Sequence, residues 1–270
     1  MSGEFEAATA VRRRDGGLGD GTGSGVYDAE IAPGWDIGGN ANGGYLMALA
    51  ATAMADAVGR PPLSLTAHYL LPGKVGPCEI DVDVLRAGRR MATVAARLRM
   101  NGNASISLLG TFGEQGPPAA VVTDGAPPPL PPFDECVSSG PPVESGFMDR
   151  VDVRIRPGDA GFREGRPSGI AEIAGWFEFA DRHPVDALGL LLVADAFAPV
   201  CFNRPEFPLG WAPTLELTVH VRGVPAPGRL RCVFRSRFMQ NGMFEEDGEM
   251  WDSAGHLVAQ SRQLALIPKL

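Results

Sequence analysis

An α+β fold made twice, each copy an apolar helix wrapped by antiparallel strands, is the architecture these 270 residues predict. Three observations carry it. Residues 45–58 form a run in which Asp56 is the only charge, which suits a helix covered on most sides. Runs with strand chemistry follow, separated by Pro-Gly, Ala-Gly-Arg-Arg and Asn-Gly turns. The same order then returns at an offset of 152 residues, LSLTAHY from Leu63 matching LELTVHV from Leu215 and Gly76 matching Gly228. A period this long marks duplicated domains, not a solenoid.

Each element has its own justification. Residues 1–25 read as a flexible leader, because the glycine run GLGDGTGSG at 17–25 precedes the first strand-like run and has the spacing of neither a dinucleotide nor a Walker loop. VYDAEI at 26–31 is a short alternating strand. GGNANGG at 38–44 is a permissive loop feeding the helix at 45–58, which Gly59-Arg60-Pro61-Pro62 ends. LSLTAHYLL, GPCEIDVDVL, MATVAARLRM and ASISLLGTF are strands, with Asn101-Gly102 a hairpin signal. Residues 114–146 are too rich in Pro for a helix or a central strand and form a linker between domains at 26–113 and 147–270. In the second domain MDRVDVRI and GWFEFA are strands and residues 185–200 a second, mostly apolar helix. LELTVHV, RLRCVFRSRF, FEEDGEMW and LVAQSRQLAL are strands that follow it. A helix buried inside a curled antiparallel sheet is the hotdog arrangement. The expectation is therefore a tandem (double) hotdog, two antiparallel sheets each wrapped around a central helix and meeting in one continuous layer.

Composition narrows the function. A hydrophobic content of 44% supplies a sizeable core. The formal net charge of -8, with no Lys/Arg block, argues against a nucleic-acid partner. The N-terminal segment lacks the apolar core of a secretory signal and no later run reaches the roughly 18 consecutive apolar residues of a membrane span, so a cytoplasmic chain is expected. Cys78, Cys136, Cys201 and Cys232 are widely spaced without a CxxC pair, which speaks for buried thiols and against a zinc site or a disulfide framework. No metal and no cofactor is implied.

Duplication supplies an internal control for chemistry: a residue that serves only the fold tends to recur in both copies. His68 and His220 are equivalent and read as strand residues. Glu216 stands against Ser64, and Gln263 against Gly110 after a one-residue slip, so the halves differ there. In LELTVHV the apolar residues share one face and Glu216, Thr218 and His220 the other. Glu216 is either a solvated strand carboxylate or a base, and Gln263 either an edge polar residue or a site residue. Gln240 precedes the Asn241-Gly242 turn, and Glu245 to Asp247 read as a solvated charge run. Asn42, Gly43 and Gly44 stand at the start of the first helix, where free N–H groups and the positive dipole end hold anions. A cap and close packing would equally explain them.

NANGGYLMA, TAHYLLPG, TLELTVHV and EEDGEMWDSAGHLVAQSRQLAL resemble the thioesterase-like proteins of double-hotdog architecture, of the acyl-CoA thioesterase II type. The resemblance covers about residues 26–113 and 147–268 and implies hydrolysis of acyl-CoA to free acid and CoA, in lipid metabolism. Such enzymes use an Asp on a strand of the second half, a nearby Thr or Ser, and a Gln on the last strand. The resemblance puts the Asp position on Glu216 and the Gln position on Gln263. For the hydroxyl, Gln240, Arg237 and Ser236 lie in the region, with Gln240 preferred. Glu216 is then the general base, Gln263 and Gln240 position water, and the amides of Gly43 or Gly44, beside Asn42, form the oxyanion hole. The partner is an acyl-CoA, and self-association through the sheets stays open. A GxSxG nucleophile elbow is absent, and no His stands in the loop entering the first helix as hotdog hydratases resemble one another in having. A non-catalytic acyl-binding or assembly protein on the same fold is the alternative.

Overall fold

The computed structural model describes residues 3–14, 23–115, 124–139 and 146–269. Its elements run α1 (Glu4–Ala8), β1 (Val11–Arg13), β2 (Gly25–Ile31), the two-residue strands β3 (Asp36–Ile37) and β4 (Asn40–Ala41), α2 (Gly43–Val58), β5 (Pro62–Tyr69), β6 (Gly76–Ala87), β7 (Met91–Met100) and β8 (Asn103–Gly113). There follow β9 (Val137–Ser138), β10 (Val151–Ile155), β11 (Glu172–Phe179), α3 (Gly189–Val193), β12 (Thr214–Val221), β13 (Leu230–Arg235), β14 (Met239–Gln240), β15 (Met243–Trp251) and β16 (Leu257–Leu266).

Helix α2 forms because its Ala, Leu and Met residues are strong helix formers and both ends are capped. The Asn42 side chain accepts from the Tyr45 N–H, and Gly59 closes the helix in the left-handed region at φ 62°. Residues 44–51 are all buried, so the missing solvent face is explained by enclosure. The enclosing surface is one antiparallel sheet in the order β1-β2-β6-β7-β8-β5-β12-β16-β15-β13-β11-β10-β9, with β14 folded onto β15. The two copies join at β5 and β12, where Ser64 pairs with His220, Thr66 with Thr218 and His68 with Glu216. Thr66 and Thr218 are 152 positions apart, the period of the repeat, and their Oγ1 atoms are 2.8 Å from each other. The repeat thus meets itself about a local two-fold through these threonines, and the expected continuous layer is present.

Three expectations are corrected. Residues 4–8 and 11–13 are not leader: α1 packs Phe5 on Phe179 (ring centroids 5.1 Å) and edge-on to Trp35 (5.6 Å), and β1 extends the sheet. The helix expected at 185–200 is helical only over α3. After Val193 the Asp195 and Ala196 N–H groups donate to Leu192 and Val193, three residues back, and Pro199 stops any continuation. Within the Pro-rich linker, β9 pairs with β10, Phe133 is buried beneath the Arg229 guanidinium (3.7 Å to the ring centroid), and Trp176 Nε1 donates to the Pro131 carbonyl at 3.0 Å. The expected leader at 15–22 and linker at 116–123 and 140–145 lie outside the described residues. Among the described residues no helix is long and apolar enough to cross a membrane, and all four cysteines are buried and free.

Candidate active site

A cavity of about 390 Å³ opens between the halves beside the start of α2. The first half lines it with residues 40–43, Leu46 and residues 69–73, the second with Asp195, Phe197, Pro199, Phe202, residues 210–215 and Gln263. Leu70, Leu71 and Trp211 are exposed at its rim. Apolar walls around a few polar groups are the usual make-up of a small-molecule site.

The polar groups begin with Asp195. The tightened turn after α3 swings its side chain onto the N-terminus of α2, where Oδ2 accepts from the Gly44 N–H at 3.0 Å and from Asn42 Nδ2 at 3.0 Å. Asn42 Nδ2 also donates to the Asp195 carbonyl at 2.8 Å while its Oδ1 caps Tyr45 at 2.9 Å. Only a side-chain amide can donate and accept in this way; Ser or Asp would cap the helix without holding both Asp195 oxygens. Burial pushes the Asp195 carboxyl up to about 6, against the pull of the Gly44 and Gly43 amides and of Asn42. Tyr69, whose hydroxyl donates to the Gly43 carbonyl at 2.9 Å, is held well above its ordinary range by burial and then by the Asp195 and Glu216 charges.

The opposite wall carries a hydrogen-bond chain. Thr214 Oγ1 donates to Gln263 Oε1 at 3.1 Å, Gln263 Nε2 donates to Glu246 Oε1 at 2.9 Å, and Glu246 Oε2 accepts from the Val200 N–H at 2.8 Å. Gln263 and Glu246 are 6% and 5% exposed, so the chain runs inward from the cavity wall to a buried carboxyl. Burial pushes Glu246 up to about 8, with the Asp195 charge acting in the same sense and the Val200 and Gln263 donors opposing it.

Thr214 reaches this wall through a register shift. The pairing of β12 with β16 slips between Thr214 and Glu216, so Thr214 leaves the face that strict alternation gives it and joins the inward side with Leu217 and Val219. Glu216 stays on the other face, where it accepts from Thr218 at 2.6 Å.

Of the residues singled out in the sequence, Asn42, Gly43 and Gln263 line the cavity. Gly44 lies just behind, its amide engaged with Asp195 and thereby removed from the oxyanion role expected of it. The anion that the helix start was expected to hold is the protein's own carboxylate. Glu216 and Gln240 are not brought to the cavity; Gln240 sits exposed in the β14–β15 hairpin. Glu246, read as solvated, is buried. Asp195 and Thr214 were missed, although the duplication carried a signal: at the same offset Asp195 stands against Gly43 and Thr214 against Pro62. A second depression of about 320 Å³, beside β10 and β11, is lined by Asp152, Arg154 and Glu178. Those charges are already paired, Arg154 with Asp152 at 2.7 Å and Glu178 with Arg229 at 3.0 Å.

Known proteins share this fold over nearly the whole chain. A Thermobifida fusca protein provisionally assigned as a thioesterase II has a crystal structure that superposes with a TM-score of 0.88 at 31% identity, covering 99% of this chain and 98% of that one. The acyl-CoA thioesterase II TesB2 of Mycobacterium marinum shares the fold at a TM-score of 0.70 and 18% identity, over 98% of each chain. An uncharacterized protein of Mycobacterium tuberculosis is 29% identical over 296 residues, 99% of either chain. The family model for the acyl-CoA thioesterase N-terminal domain matches residues 31–113, that for the C-terminal domain residues 118–267, and the chain belongs to the acyl-CoA thioesterase family.

Proposed function

We propose that the chain hydrolyses acyl-CoA thioesters at the cavity between its halves, with Asp195 as general base and Thr214 and Gln263 positioning the attacking water. The observation that carries this is the convergence of Asp195, Thr214 and Gln263 on one apolar-walled cavity. They are an Asp, a hydroxyl and a Gln on the last strand, the set that the resemblance implies, on residues other than Glu216 and Gln240.

The chemistry follows from the donors. The Thr214 O–H is spent on Gln263, so its Oγ1 offers lone pairs to the cavity. A water that gives one hydrogen to Thr214 and the other to Asp195 turns its own lone pair toward a thioester carbonyl. Attack forms the carbon–oxygen bond, Asp195 takes the proton, and collapse breaks the carbon–sulfur bond, the proton passing to the leaving thiolate. A carboxylate raised to about 6 is ionised at neutral pH yet basic enough to accept that proton. The positive end of α2 acts through Asp195, whose carboxylate it holds. Phe197, Phe202, Leu70 and Trp211 supply an apolar wall for the acyl group.

Release of free CoA from acyl-CoAs of varied chain length tests this directly. Asp195→Asn should lower kcat on the order of a hundredfold or more with little change in KM. Glu216→Gln should leave turnover within about twofold, since its carboxylate faces away from the cavity. The reverse pattern would return the base to Glu216. Acyl-CoA binding without turnover in the wild type would favour an acyl-binding protein.

A further inference from the structure

We propose that Glu246 is a positioning residue that sets the polarity of the Gln263–Thr214 hydrogen-bond chain, and through it the orientation of the attacking water. The argument starts from the fixed donor at one end. The Val200 N–H can only donate, so Glu246 Oε2 must accept, at 2.8 Å, whatever the protonation state. Only Oε1, 2.9 Å from the Gln263 amide, is free to change role. When Glu246 is ionised, Oε1 accepts, Gln263 must turn Nε2 inward, and its Oε1 is left to accept from Thr214 at 3.1 Å. Thr214 then presents lone pairs to the cavity, and water docks by donating. When Glu246 is neutral, its proton belongs on Oε1, the amide turns over, Nε2 donates to Thr214, and the threonine hydroxyl hydrogen points at the water. That hydrogen engages one of the water's two lone pairs and leaves one of its O–H groups unanchored, so the water is no longer turned with its lone pairs toward the carbonyl. The ionised arrangement is the productive one.

Glu246 also joins the two walls of the cavity. Val200 begins the 3-10 turn that follows the Asp195 loop, while Gln263 is on β16, so one buried carboxylate spaces the loop of the base from the strand of the water-positioning amide. Among the described residues no Lys, Arg or His forms an ion pair with it. The titratable groups around it are Asp195 and Cys201 from the segment it caps and Asp247 from its own strand, the last paired with Arg262 at 2.6 Å. Burial pushes Glu246 up to about 8, which puts the change of polarity within reach of an ordinary pH titration.

The inference rests on the proposed hydrolysis only for its kinetic readout, so a second readout is independent of turnover. In the full-length protein the side-chain amide signals of Gln263, followed by nitrogen-15 NMR, should shift in one step between about pH 7 and pH 9, should keep that step in Asp195→Asn, and should lose it in Glu246→Gln. An invariant signal, or the same step in Glu246→Gln, overturns the proposal. Kinetically, Glu246→Gln should remove the alkaline rise of kcat, costing about tenfold at the upper plateau with KM within about twofold. Combined with Gln263→Ala it should cost no more than Gln263→Ala alone. Additive losses, accompanied by a lower melting temperature in both backgrounds, would mean that Glu246 serves packing alone. If Asp195→Asn leaves turnover intact, the hydrolytic mechanism falls while the amide titration still decides the role of Glu246.

Discussion

At the residue scale, Asp195 and Glu246 are carboxyls whose burial outweighs two or more donated hydrogen bonds, whereas surface carboxylates such as Asp28 are drawn down, chiefly by Arg14. The two groups of carboxylates act oppositely on stability. A carboxyl whose folded pKa lies above its unfolded one favours the fold fully below the unfolded value, and this preference is lost as pH rises through the folded value. For Glu246 the window runs from 4.5 to about 8. The unfolding free energy of the wild type relative to Glu246→Gln should therefore decline steadily across that window, measured by urea denaturation at a series of pH values. A difference independent of pH would show that this ionisation is not linked to folding. On the kinetic side, kcat should rise as pH climbs through about 6, because the raised Asp195 must lose its proton before it can act as a base.

At the element scale, the decisive contact is between the start of α2 and the backbone of α3. A Cβ at Gly44 would lie 2.8 Å from the Leu191 and Leu192 carbonyl oxygens and 2.9 Å from the Leu192 Cα. These are backbone atoms, so the helices would have to separate. Gly44→Ala should cost about 1–3 kcal/mol in denaturant unfolding. Because separation also moves Asp195 off the α2 amides, kcat should fall with it; full stability in Gly44→Ala would show that the contact is softer than its distances imply. The strands were legible because alternation is local. The second helix was not, because residues 194–198 have helical composition yet bend where tertiary bonds to Asn42 and Gly44 compete with another turn, before Pro199 rules out any further one.

At the scale of the whole molecule, the two copies are joined by the β5–β12 ladder and by the Thr66–Thr218 contact on its axis. Thr218 gives its hydrogen to Glu216 and so accepts from Thr66. Thr66→Val should cost about 1 kcal/mol, and Thr66→Val with Thr218→Val should cost less than the sum of the single changes, since removing both partners leaves no orphaned hydroxyl. Strict additivity in a double-mutant cycle would show that the hydroxyls do not interact. The site lies between the halves, with Asn42 and Gly44 from one copy holding Asp195 from the other. Each copy has thus given up part of the symmetry: the first keeps the open helix start, the second the carboxylate that fills it.

The sequence by itself determined the duplication, the buried first helix and most of the strands, and singled out Asn42, Gly43 and Gln263, which line the cavity, because periodicity, turn chemistry and repeated letters can be read along the chain without the fold. Only the tertiary structure decided which carboxylate faces the cavity. Alternation assigned Glu216, Thr218 and His220 to one face, to which strict alternation would add Thr214, and a single slip in register between Thr214 and Glu216 moved the threonine inward and left the glutamate outside. Asp195 was hidden by the apolar run around it, which reads as uninterrupted helix until the α2 amides, 151 residues earlier in the chain, supply the donors that pull it out of line. Burial and long-range hydrogen bonding are set by residues far apart in the chain, so no local pattern could rank Asp195 and Glu246 above the other acidic residues.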